Sequence, residues 1–129
     1  MTVSRVASPS RYASVVGFSS AVRAGDLVFV AGTTAVDSSG DIVGRDDPYA
    51  QTKEVMRKIG AALAAVGADL SCVVQTRVYL VHAQDWEHVG LAHGEVFADH
   101  PPAATMVVVA GLLDPRMLVE IEAVAYLGS

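Results

Sequence analysis

The run Val119-Glu120-Ile121-Glu122-Ala123-Val124-Ala125 carries two carboxylates inside a strongly β-forming segment. A spacing of two places both on the same face of a strand. Burying an unpaired charge costs several kcal/mol or more, so such acids need either water or a purpose. A solvated outer face would accommodate Glu122, while a cleft is the expectation for Glu120. Arg77 poses the same problem midway along the apolar stretch Val73 to Val81. Its guanidinium either bridges to Glu120 or Glu122 on a neighbouring strand or remains free to grip a small carboxylate.

Other reactive residue types carry less. His88 and His93 are five apart on a helical stretch, whereas two ligands on one helix face need a spacing of four. His82 and His100 lie at a strand end and in a proline-flanked loop, and no metal site is expected. His93 shares an apolar stripe with Trp86 and reads as a hydrogen-bonded core histidine. Ser19 and Ser20 have no nucleophile-elbow context, and the chain has no glycine-rich phosphate loop. The single cysteine, Cys72, excludes an internal disulfide and fits a reducing compartment.

Elements to position these groups follow from periodicity. Ser14 to Val22 and Leu27-Val28-Phe29-Val30-Ala31-Gly32 read as two strands joined by the turn Arg23-Ala24-Gly25-Asp26. Asp37 to Asp41 form a second turn, with Ile42-Val43-Gly44 a short strand after it. Asp47 and Pro48 then open a helix as N-cap and first residue. Tyr49, Thr52, Met56, Ile59, Leu63 and Val66 form its apolar stripe, Lys53, Glu54, Arg57 and Lys58 fall off it, and Gly67 stops it. The next strand, Val73 to Val81, sets Val74, Thr76, Val78 and Leu80 on one face, with Gln75, Arg77, Tyr79 and Val81 on the other. Asp85 caps a second helix with Trp86, Val89, His93, Val96 and Phe97 along one stripe. Pro101 and Pro102 end it, and strands over 103–110 and 117–127 close the chain. The expected class is α+β: one sheet, with helices on one face.

Bulk properties bound the function. A chain of 129 residues is expected to form one domain over 1–129. With 52% apolar and 18% charged residues, it has more apolar surface than a small domain hides, which implies a subunit interface on the bare sheet face. A net charge of −5 without a basic groove argues against a nucleic-acid partner. The apolar runs are too short for a membrane span and the start lacks a signal-peptide pattern, so a soluble, cytoplasmic protein is expected.

Almost the whole chain resembles the RidA family, also called YjgF or L-PSP. The resemblance rests on Gly17-Phe18-Ser19-Ser20-Ala21-Val22, Gly25-Asp26-Leu27-Val28-Phe29-Val30-Ala31-Gly32 and Gln51. Gly67-Ala68, Val73 to Val78, Asp85-Trp86 and Pro102 add to it, and above all Val119-Glu120-Ile121-Glu122-Ala123. It implies a chorismate-mutase-like fold, a homotrimer whose sheets form a central barrel, and ligand clefts between subunits. It further implies hydrolysis of 2-imino or enamine acids to 2-oxo acids and ammonia, without a cofactor or metal. The water-positioning glutamate of the family falls on Glu120. Its substrate-binding positions correspond to Phe18, Ala31, Gly32, Gly90, Ala104, Thr105 and Met106, with Arg77 as an added candidate.

The departures are specific. The carboxylate-gripping arginine of the family is Ala104 here, its cysteine is Met106, its first-strand tyrosine is Phe18 and its helix-borne asparagine is Gly90. Losing a charge-assisted contact to a carboxylate removes about 1.5–3 kcal/mol, or about 10–150-fold. The expectation is a divergent branch acting on an imine or enamine other than the usual 2-imino acids. Arg77 and Arg116, the latter on a loop that reads as one residue longer, are the conceivable replacements. The alternative is a trimer that binds a small molecule or a protein without chemistry.

Overall fold

The computed structural model describes residues 2–128. Six strands form one sheet: β1 (Val3–Val6), β2 (Ala21–Ala24), β3 (Leu27–Thr33), β4 (Val73–Leu80), β5 (Ala103–Val108) and β6 (Val119–Tyr126). Their spatial order is β1-β2-β3-β6-β4-β5. All neighbours run antiparallel except β4 and β5, which are parallel, so the α+β sheet is mixed. Helix α2 (Pro48–Ala64) packs on β3 and β6, and α3 (Trp86–Val96) packs on α2.

Helix α2 forms where its start and stop signals lie. The Asp47 carboxylate accepts the Ala50 amide at 3.0 Å, satisfying one of the free N–H groups of the first turn. Pro48 begins the helix at a position where its missing N–H costs nothing. The helix ends at Ala64, and Gly67 at φ 82° turns the chain back so that the Ala68 amide donates to the Leu63 carbonyl at 2.9 Å. Thr52, Val55, Met56, Ile59 and Leu63 are buried against Val28, Val30, Val78, Leu80, Ile121 and Ala123 of the sheet. Each large side chain fully buried there contributes about 1.5–3 kcal/mol.

One buried polar residue fixes the approach to β6. Gln51 is fully buried; its amide donates to the Arg116 carbonyl at 3.0 Å and accepts the Leu118 amide at 2.9 Å. Both ends of the side chain are satisfied, and Leu118, the residue just before β6, is pinned to α2 two positions before Glu120.

Several expectations are corrected. Ser14 to Val22 is not one strand: Ala13–Val16 is a single helical turn, α1, closed by Gly17 at φ 85°, and only Ala21–Ala24 pairs in the sheet. The strand β1, antiparallel to β2, has no counterpart in the sequence reading. Ile42 makes only an isolated bridge to Val36, because Asp37 folds the intervening turn by accepting the Ser39 and Asp41 amides. In β4, a register shift between Val73 and Gln75 sends Val74 outward, 48% exposed, rather than into the core with Thr76. Asp85 precedes α3 without a side-chain cap bond, and Trp86 is 58% exposed rather than on the buried stripe of Val89 and Phe97. His93 is hydrogen-bonded as expected, with Nε2 2.9 Å from the Thr76 hydroxyl, but it is half-buried at the margin of the core rather than within it, and burial pulls its pKa down. Among the described residues, no helix is long and apolar enough to cross a membrane.

Candidate functional site

Alternation along β6 decides which way its acids point. Val119, Ile121, Ala123 and Ala125 are buried beneath the helices, so Glu120, Glu122 and Val124 occupy the helix-free face. On β4, Arg77 and Tyr79 share that face, in register with Glu122 and Glu120 respectively. Arg77 places Nη1 3.9 Å from the Glu122 carboxylate, and the Tyr79 hydroxyl donates to the same group. The outward arginine of β4 is therefore matched by Glu122, not by Glu120.

Glu120 stands apart. No hydrogen bond or cation holds its carboxylate among the described residues; burial first, and the neighbouring charge of Glu122 second, push its pKa up. It lies against Gly32 of β3 so closely that a methyl group at Gly32 would meet the carboxyl oxygen. Glycine at that position is the condition for the carboxylate to rest where it does.

Glu120 opens into a cleft of about 420 Å³. Phe18, Ala31 and Gly32 line it, as do the 8–12 segment, the 36–40 turn and the 113–114 loop. The walls are held by polar contacts. Arg116 grips Asp114 through Nε at 3.0 Å and Nη2 at 2.8 Å, and Nη2 reaches the Gly40 carbonyl at 3.1 Å, tying the 113–116 loop to the 37–41 turn. This contact holds the Asp114 carboxyl far below its ordinary range. Arg116 is thereby committed and does not serve as the replacement cation.

Of the residues singled out in the sequence, the chain brings Glu120, Phe18, Ala31 and Gly32 together in this cleft. Arg77 faces outward beside Glu122, Gly90 lies in α3, and Ala104, Thr105 and Met106 lie on the edge strand β5; none lines the cleft. Two basic lining residues escaped the sequence reading. Lys58, read only as falling off the apolar stripe of α2, donates to the Thr34 and Val36 carbonyls at 2.6 and 2.8 Å, and burial pulls its pKa down. Arg11 lies over the Tyr12 ring at 5.0 Å and donates to its hydroxyl at 3.0 Å. Contacts 22 to 24 residues distant give Lys58 no local signal, and nothing local to Arg11 marks a cleft formed by distant segments. A half-buried carboxylate with raised pKa and no partner is suited to accept a proton or hold a water. No cluster of three or more metal-ligating side chains occurs among the described residues.

A mixed six-stranded sheet, helices on one face and, among the described residues, an unpartnered acid on the last strand define an α+β protein with a carboxylate-bearing cleft. A crystal structure of a member of the YjgF/YER057c/UK114 family from Mycobacterium tuberculosis superimposes with a TM-score of 0.88 at 43% identity, covering 97% of this chain and 99% of that one. The chain belongs to the endoribonuclease L-PSP family, the RidA/YjgF family, whose model matches residues 8–127. It is 44% identical to an uncharacterized protein of Streptomyces coelicolor over 98% of this chain and 94% of that protein. It is also 32% identical to the 3-aminoacrylate deaminase RutC of Acinetobacter baylyi, over 82% of this chain and 83% of that protein.

Proposed function

We propose that this chain, one domain over 1–129, assembles as a homotrimer with ligand clefts between neighbouring subunits and hydrolyses an imine- or enamine-type metabolite. Glu120 positions or deprotonates the attacking water, which adds to the imine carbon; the carbon–nitrogen bond then breaks, giving a carbonyl product and ammonia. The single observation that carries this reading is the state of Glu120: buried enough to raise its pKa, without a partner among the described residues, and facing a cleft with Phe18 and Gly32. A relative named as a 3-aminoacrylate deaminase supports the same class of reaction. Ala104 in place of the anchoring arginine favours a substrate other than the usual 2-imino acids. Arg77, Gly90, Thr105 and Met106 would contribute only across the subunit boundary, because they lie outside the cleft of their own chain.

The endoribonuclease name of the family receives little support from charge. A net charge of −5 offers no electrostatic footprint for a polyanion, so a small-molecule ligand is favoured. The changes at Ala104, Met106, Phe18 and Gly90 favour a second reading, a binder without chemistry. The experiment that separates the two measures ammonia release from freshly generated amino-acid-derived imines. Acceleration by the purified protein that disappears in Glu120→Gln is the expected result; no acceleration across several imines overturns the hydrolase and leaves the binder, which a ligand-dependent rise in Tm would register.

A further inference from the structure

The cleft contains a second charged group without a carboxylate partner. Arg11 makes no ion pair within 4.0 Å among the described residues, although it lies beside an arginine–aspartate pair, Arg116 and Asp114, that is closed on itself. Its guanidinium is stacked on the Tyr12 ring and spends one N–H on the Tyr12 hydroxyl. The stack steadies the group, and the remaining N–H donors stay available for a bidentate anion contact. Lys58, the other basic lining residue, has already given two of its three N–H bonds to backbone carbonyls.

Arg11 and Glu120 also occupy separate parts of the cleft. Arg11 comes from the 8–12 segment and lies over the Tyr12 ring, whereas Glu120 comes from β6 and lies against Gly32 of β3. A volume of about 420 Å³ falls in the range, about 300–1,000 Å³, of clefts that bury ligands well beyond three carbons. An arginine beside the reacting centre would grip a carboxylate one bond from the imine carbon. An arginine on another wall grips one set back by the breadth of the cleft.

We propose that Arg11 is the carboxylate anchor of this cleft, selecting ligands whose carboxylate is remote from the imine or amine nitrogen received by Glu120. The proposal rests on the cleft being the ligand site proposed above. Arg11 is thus a specificity-determining residue, and the ligand class is an ω-carboxylate carrying its nitrogen at the other end, with an apolar body against Phe18.

Stable amines stand in for the imine in the test: glycine, 4-aminobutanoate and 6-aminohexanoate, titrated calorimetrically into the full chain. Affinity is expected to rise with chain length. Arg11→Met is expected to weaken 6-aminohexanoate about tenfold or more while leaving glycine unchanged, and Arg11→Lys to restore part of the loss. Arg11 is exposed, so an unaltered Tm for R11M separates lost binding from lost folding. Tightest binding of glycine, a length series indifferent to R11M, or no binding of any probe overturns the proposal. Glu120-dependent imine hydrolysis alongside an indifferent R11M overturns the anchor alone and leaves the hydrolase standing.

Discussion

Glu120 and Glu122 stand two residues apart on one strand face yet keep different company. Glu122 meets a tyrosine hydroxyl and an arginine, both from β4. Glu120 meets a glycine on β3, a cleft and, among the described residues, no partner. Strand geometry is common to both, so the neighbouring strands make the difference. A carboxylate with a cation opposite it is a structural surface pair, and one facing empty volume under partial burial is poised for chemistry. The lesson concerns cross-strand register more than the acids themselves, because a shift of two residues would set Glu120 opposite Arg77, where Glu122 now stands.

The contrast can be broken most severely at Glu120. Ammonia release from imines is expected to vanish in Glu120→Gln and to persist in Glu122→Gln, measured on the same substrate preparations. Gly32→Ala sharpens the contrast without touching a charge. The added methyl displaces the carboxylate, whose flexible end yields easily, so activity should fall about 100-fold while Tm barely moves. Comparable losses in both quantities would assign the effect to folding instead.

The two acids also differ in what they do to stability. Burial holds the Glu120 proton to higher pH in the folded chain than in the unfolded one, where its ordinary value is 4.5. Folding stability therefore falls as pH rises through that window. E120Q escapes the loss and should melt above the unsubstituted chain at pH 7, with the gap closing as pH drops toward 4.5. A gap independent of pH in a melting series would refute the burial argument. At Glu122 the effects are smaller. Tyr79→Phe is expected to cost at most about 1 kcal/mol by removing one hydrogen bond. Arg77→Ala should cost less still, since half-exposed ion pairs contribute about 0–1 kcal/mol. Denaturant titration resolves the first and scarcely the second.

What was legible in the sequence divides along local and distant determinants. Helix α2 announces itself because Asp47, Pro48 and Gly67 act within a few residues of its ends. Glu120 and Glu122 are legible because acids stand out in a β-forming run. The Ser14 to Val22 misreading has the opposite cause: β-branched and aromatic residues (Val15, Val16, Phe18 and Val22) imitate a strand, and only the left-handed Gly17 reveals a helical turn. Val74 faces outward through a bulge that depends on how β4 meets β6, which composition does not encode. The cleft was half visible. Its floor comes from strand residues with a recognisable pattern, whereas Arg11 and Lys58 arrive from segments whose proximity exists only after folding.

The edge strand β5 carries a consequence of its own. All six residues, Ala103 to Val108, are exposed, covered by neither helix, and among the described residues the strand pairs only with β4. It is uncharged and has no proline within it, so it lacks the devices by which edges are usually guarded against foreign strands. The chain by itself, in dilute solution or during synthesis, offers this ribbon as a template on which clumping begins. Insolubility on overexpression should then yield to Val108→Lys, at the last residue of the strand.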